Sequence, residues 1–220
     1  MLKDATSFDF IKYLANGNGR GDRLPSLQEL SAQHGVSISV LREQLQVARA
    51  LGFVEVRPRT GIRRLPYTFA PAVRESLFYA MDRERGAFDQ FAGVRRHLER
   101  AYWFEAVARL TAEDITELRS LVERAEEMLK VEPIRVPHAE HRELHLRIYR
   151  HLENPFVIGL LEAYWEAYEQ VGLSRYTGLA YQVQVWESHR QIVEAIAAGD
   201  FERGYELLNG HFLLIDKRKE

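Results

Sequence analysis

Residues Leu24–Leu65, LPSLQELSAQHGVSISVLREQLQVARALGFVEVRPRTGIRRL, decide how this chain is read. Ser26 followed three residues later by Glu29 is a capping-box pattern. The serine oxygen can accept the third helical N–H while the glutamate reaches back, so a helix starts after Pro25. Leu27, Leu30 and Ser31 would line its inner face. Gly35 can take the positive φ that ends this helix, and Ser37 can cap the next. That next helix carries Val40, Leu41, Leu45, Ala48 and Leu51 as its expected buried stripe, and Gly52 stops it. Phe53, Val54 and Val56 then begin a strand, and the turn Pro58-Arg59-Thr60-Gly61 leads into Ile62-Arg63-Arg64-Leu65.

Two short helices around a tight turn, followed by a basic hairpin, form the outline of a winged helix-turn-helix, which puts one helix into a DNA groove. Ser37, Ser39 and Arg42 sit near the outward N-terminal part of the second helix, where base edges and phosphates are reached. Arg57, Arg59, Arg63 and Arg64 cluster on the hairpin. Arginine also decorates exposed strands without any ligand. Four beside a helix-turn-helix favour a wing that grips phosphates or enters the minor groove. Charge divides in the same sense. Residues 1–65 hold 10 Lys+Arg and 6 Asp+Glu, a net of +4, which leaves 20 and 26, a net of −6, for residues 66–220.

Taken whole, LPSLQELSAQHGVSISVLREQL followed by LGFVEVRPRTG resembles the DNA-binding domain of GntR-type bacterial transcription regulators. The resemblance lies in the Leu-Pro-Ser start, the Gly-Val-Ser turn, the Leu-Arg-Glu of the recognition helix and the wing glycine. It implies that Arg42 is a DNA-contacting arginine. Gln28 and Ile38 stand where that family commonly has basic residues, so binding is expected to lean on Arg42 and the wing.

Outward from this stretch, Phe8, Phe10, Ile11 and Leu14 suggest a short helix, broken by the glycine-rich run Gly17 to Asp22. Pro66-Tyr67-Thr68-Phe69-Ala70-Pro71 reads as a linker. From Val73 the pattern is helical almost throughout. Leu77, Phe78 and Met81 mark one helix. A long second helix carries Phe88, Phe91, Val94, Leu98 and Tyr102 and runs on through Phe104 to Leu110. Ile115 to Met128 marks a third. A helix begins at His141 and meets Asn154-Pro155, Phe156–Val171 follows, and a last pair covers about 184–198 and 201–215. The expected fold is therefore mainly α. A winged helix-turn-helix over 1–65 and a linker over 66–72 precede an all-α helical bundle over 73–220.

At 220 residues, 46% hydrophobic and 28% charged, the composition is that of an ordinary globular protein. With no cysteine, disulfides and thiolate metal sites are excluded, so any metal is held by His, Asp or Glu. No leader-like or membrane-crossing run is apparent, which places the protein in the cytoplasm with no membrane partner.

Helices behind such a head are similar to the FadR branch of the GntR regulators, whose C-terminal helical domain is called FCD. The marks are Arg95-Arg96-His97-Leu98-Glu99, His145 nine residues before Asn154-Pro155, Glu187-Ser188-His189, and Ala198-Gly199-Asp200 with His211 beyond. The resemblance implies a divalent metal bound by an Asp and a His four residues apart, plus one His from each of the last two helices. His145, His189 and His211 match the three histidines, and His141 stands where the family has Asp. Imidazole suits zinc first, with nickel or iron next, and a more neutral site disfavours manganese or magnesium. His34, His97, His138 and His151 are not proposed as ligands.

The resemblance further implies an organic-acid effector at the metal. Arg95 would be a second anchor for its carboxylate, although it could instead pair with Glu99 one turn on. The tyrosines and tryptophans, at helical spacing, read as core. The expected function is a ligand-responsive regulator, with repression the expected sense, binding double-stranded operator DNA as a homodimer. A metal sensor, in which the metal itself is the effector, is the alternative. A helical metalloenzyme is less favoured, because Glu143 and Glu187 are the only carboxylates at a catalytic spacing from the histidines and both fit a solvated surface.

Overall fold

The computed structural model describes residues 8–17, 22–133, 135–171 and 178–217. The chain divides into two compact units, Met1–Glu75 and Ser76–Glu220.

In the first unit α1 (Phe10–Ala15), α2 (Leu27–His34) and α3 (Ile38–Ala50) precede β1 (Val54–Arg57) and β2 (Gly61–Arg64). The capping box forms as expected: Glu29 N–H donates to Ser26 Oγ, and the Ser26 N–H donates to the Glu29 carboxylate at 2.7 Å. Gly35 ends α2 at φ 66°, a left-handed value that a Cβ would strain. Ser37 accepts the Val40 N–H and starts α3. Phe10, Leu14, Leu24, Leu30, Leu41, Leu45, Ala48, Val54 and Ile62 form the core.

Two members of the expected α3 stripe fall elsewhere. Val40 is 40% exposed and Leu51 is only half-buried, so the stripe narrows to Leu41, Leu45 and Ala48. The reason is a polar clamp: Gln44 accepts the Phe10 N–H at 2.8 Å and donates to Phe8 O at 2.7 Å, which turns α3 to put Gln44 over α1. The strands pair antiparallel, Val54 with Arg64, Glu55 with Arg63, Val56 with Ile62 and Arg57 with Gly61. On the other edge of β2, Leu24 donates to Ile62 O and Arg64 donates to Asp22 O, so residues 22–24 extend the hairpin. Of the expected glycine-rich loop, residues 18–21 lie outside the described residues.

Residues 66–69 are non-helical and α4 (Ala70–Arg83) starts within the expected linker. Then follow α5 (Ala87–Ala101), α6 (Trp103–Val107), α7 (Ala112–Lys130), α8 (His138–Tyr149), α9 (Pro155–Val171), α10 (Leu179–Ala197) and α11 (Phe201–Lys217). Asn154 caps α9 through the Phe156 N–H, with Pro155 in the first turn where its missing N–H costs nothing. In the second unit α10 packs on α7 and α11, α8 on α7 and α9, and α5 on α9. One core gathers Trp103, Leu118, Leu121, Leu144, Ile148, Trp186, Ile192 and Phe212, and a second gathers Leu77, Phe88, Tyr164 and Trp165.

The expected long second helix is two. It breaks at Tyr102, which adopts φ −99° and ψ 4° between α5 and α6. The apolar run from Ala101 to Val107 suits one helix or two. The break lets fully buried Trp103 reach α11, where its Nε1 donates to Phe201 O at 2.9 Å and its ring lies against Gly204. A Cβ on Gly204 would stand 2.7 Å from Trp103 Cζ2. Gly204→Ala therefore overpacks a rigid contact and is expected to cost about 1–3 kcal/mol. Thermal unfolding followed by circular dichroism reads this as a loss of several degrees; an unchanged Tm would show that α6 and α11 do not meet this closely.

Candidate nucleic-acid interface and metal centre

In the head, Ser37, Ser39 and Arg42 are exposed at the N-terminal end of α3, where the helix dipole and unpaired N–H groups favour a phosphate. Ile38 is half-buried and Gln28 exposed. Strand alternation puts Glu55, Arg57 and Arg63 on the outward face of the hairpin and Val54, Val56, Ile62 and Arg64 on the other. Arg57 pairs with Glu55 at 2.9 Å, and Arg59 is exposed in the turn at φ 67°. Arg64 is half-buried with its Nε sealed from solvent. The outward basic surface is thus carried by Arg57, Arg59 and Arg63. Arg23, exposed on the strand-like extension opposite Arg63, joins the same hairpin edge; its distance in sequence from the other arginines hid it.

In the helical unit, α8 presents His141 and His145 one turn apart, α10 presents His189 and α11 presents His211. One ligand-capable atom from each lies within 4.8 Å of all the others. His145 Nε2 and His189 Nε2 are 3.1 Å apart, and the His189 and His211 rings are centred 4.3 Å apart. His145, His189 and His211 are buried, and His141 borders the cavity described below with its Nε2 sealed. His141 Nε2, His145 Nδ1, His189 Nδ1 and both nitrogens of His211 form no hydrogen bond in the protein, although Glu99 Oε2 stands 3.2 Å from His145 Nδ1. Buried polar atoms are seldom left so. Burial, reinforced by the neighbouring imidazoles and Arg95, holds the His141 and His189 pKa values well below 6.5, and burial does the same for His211. For His145 burial lowers the pKa against an opposing pull from Glu99. Neutral imidazoles with converging lone pairs are the form that binds a transition metal, so the donor set fits such an ion.

The remaining histidines have other work. His151 Nε2 donates to the Asp114 carboxylate at 2.7 Å, within the cap of α7. His97 Nδ1 meets Gly93 O at 2.7 Å, His34 packs on Phe8, and the His138 ring lies near Tyr168. Glu143 and Glu187 are exposed on the surface, Glu143 paired with Arg147 and Glu187 with Gln191.

Arg95 takes the intrahelical partner that its spacing allowed. Its Nε donates to Glu99 Oε1 at 2.7 Å, both side chains are buried, and the guanidinium lies over the Tyr164 and Trp165 rings. Burial alone would push the Glu99 carboxyl up, but Arg95 and His145 outweigh it and hold it well below the usual range. Arg95 also lines a cavity of about 550 Å³ with His141, Phe88, Tyr164, Tyr168 and Tyr181. Sequence reasoning put the tyrosines in the core, and Tyr164 and Tyr168 instead face core and cavity together. It also missed Glu99 as a neighbour of the histidines, because α5 and α8 meet only in three dimensions.

Residues 18–63 match the gntR family of bacterial regulatory proteins, and residues 90–213 match the FCD domain. The chain is 27% identical to the HTH-type transcriptional regulator LutR of Bacillus subtilis over 211 residues, covering 89% of this chain and 90% of that one. It is 24% identical over 146 residues to the Uxu operon regulator of Haemophilus influenzae, covering 66% of this chain and 52% of the relative's length. Among solved structures it shares the fold of Streptococcus agalactiae GntR, with a TM-score of 0.62, 19% identity and 95% of each chain covered. It also shares the fold of E. coli McbR/YncC, with a TM-score of 0.52, 20% identity, and 94% and 93% covered. A winged helix-turn-helix head joined to an FCD domain spanning more than half the chain places this protein in the gntR family of bacterial regulatory proteins, as a DNA-binding transcription regulator and not an enzyme.

Proposed function

We propose that this regulator senses a small organic acid through a divalent metal held by His141, His145, His189 and His211. The observation that carries the reading is the convergence of four ligand atoms within 4.8 Å, three of the histidines buried and His141 half-buried at the cavity, with nitrogens left unpartnered. Four neutral imidazoles favour zinc, then nickel or iron, over manganese or magnesium. A divalent ion would bring two positive charges into an interior where Glu99 already balances Arg95, which favours an anionic ligand beside it. The cavity bordered by His141 and Arg95 offers that ligand a way in. The protein acts as a homodimer in the cytoplasm, its two recognition helices reading a near-palindromic operator, and the Haemophilus relative is itself named as the regulator of an operon. Acid and DNA affinities are then coupled reciprocally.

One observation favours a second reading, a metal sensor. Four protein ligands complete a tetrahedral zinc shell, as in sites that keep no open position. One experiment decides between them: titrate the purified protein, stripped or zinc-loaded, onto promoter DNA adjoining its own gene, with and without a panel of small carboxylates. An acid effect seen only with zinc supports the first reading. A zinc effect indifferent to acids selects the second, and binding unmoved by either sinks both.

A further inference from the structure

Of the four imidazoles, His145 has a carboxylate behind it. Its Nε2 faces His189, and its Nδ1 lies 3.2 Å from Glu99 Oε2. That carboxylate is fully buried on α5, and its position is fixed on both sides. Oε1 accepts from Arg95 Nε at 2.7 Å, Oε2 faces Arg95 Nη2 at 3.4 Å, and the backbone carbonyl of Glu99 accepts the Tyr149 hydroxyl at 2.8 Å. Arg95 is itself pinned between the Tyr164 and Trp165 rings. A metal-binding imidazole needs its proton on the nitrogen turned away from the metal, and a carboxylate there selects that tautomer and raises the basicity of the other nitrogen. His145 Nδ1 is within ion-pair distance of Glu99 Oε2 but off the line of a hydrogen bond, and His189 Nδ1 and His211 Nδ1 likewise form no hydrogen bond in the protein.

We propose that Glu99 is a positioning residue for the metal centre, holding His145 as the Nδ1–H tautomer with Nε2 turned into the cluster, while Arg95 locks the carboxylate in place. This rests on the metal reading above. Arg95 engages both oxygens, Oε2 the more loosely at 3.4 Å, and it is this looser oxygen that lies 3.2 Å from His145 Nδ1. The arrangement also joins cavity to centre. Arg95 lines the cavity and holds the carboxylate behind His145, so an anion bound at Arg95 and a metal at the histidines share one chain of contacts.

The test measures Zn²⁺ affinity by chelator competition on the full-length protein without added acid. It compares wild type with Glu99→Gln and with the double variant Arg95→Met/Glu99→Gln, which leaves no unpaired charge buried. Glu99→Asp, which keeps the charge and withdraws it by one methylene, serves if the double variant does not fold. Affinity is expected to fall by about 10–100-fold in each, while the Tm of the metal-free double variant stays within a few degrees of wild type. Nitrogen-15 spectra of metal-free wild type should show His145 as the Nδ1–H tautomer. Wild-type zinc binding with variants inside threefold of it, or an Nε2–H tautomer, overturns the role of Glu99 and leaves the metal reading standing. Wild type that binds neither Zn²⁺ nor Co²⁺ removes that reading and this role with it.

Discussion

On the proposed metal reading, a His189→Ala variant is expected to lose tight zinc binding and with it the stabilisation that zinc would confer on the helical unit. His189 lies at the centre of the cluster, 3.1 Å from His145 Nε2 and in ring contact with His141 and His211. Removing a ligand should weaken binding by more than the ~10–100-fold that follows loss of a hydrogen-bonding partner behind one. At zinc a thousandfold above its dissociation constant, wild type gains about 4 kcal/mol, or roughly ten degrees of Tm for a unit of this size. The variant should gain almost none, and its metal-free Tm supplies the baseline against the lost packing. An equal zinc-induced shift in both proteins would put the metal elsewhere.

The same site sets a pH dependence. The four imidazoles have folded pKa values depressed below 6.5, chiefly by burial. The unfolded chain therefore takes up protons that the folded one refuses. Stability is expected to be full above about pH 6.5 and to fall as pH drops below it, and zinc, if the proposed site holds it, should leave over the same range.

The second large effect lies in the head. Arg42→Ala should weaken operator binding by about 1–3 kcal/mol, and replacing Arg57, Arg59 and Arg63 together by alanine should flatten the dependence of log affinity on log salt by roughly one unit for each phosphate no longer neutralised. Fluorescence anisotropy over a salt series reads both. Metal content should not change in either variant, since the head and the histidines belong to separate compact units. Arg64→Ala is the discriminating control. With its Nε buried on the other face of the hairpin, Arg64 should leave the salt slope near wild type. A slope unmoved by the triple substitution would mean that the wing does not touch DNA.

Local chemistry was legible from residues alone. The capping box at Ser26 and Glu29, the left-handed stop at Gly35, the Ser37 cap and the hairpin glycine each act within a few residues. Short-range hydrogen bonds and φ preferences therefore suffice to read the head. Spacing likewise put His141 and His145 on one helical face, and the family resemblance added His189 and His211; the structure brings the four together. Arg95 was left between two partners, and burial decided for Glu99, because a buried guanidinium must be neutralised where it stands.

Other features depended on which surfaces meet. An apolar run from Ala101 to Val107 fits one continuous helix until Trp103 finds the groove at Gly204 on α11. Val40 looks like core until Gln44 clamps α1 and turns α3. Glu99 is one acidic residue among 32 until α5 and α8 pack it behind His145. Sequence by itself determined the head, the helical body and the residue types able to hold a metal, because these follow from period, caps and side-chain chemistry. Only tertiary packing decided how closely the four histidines converge and which carboxylate stands behind His145, because burial and long-range contact belong to no single segment.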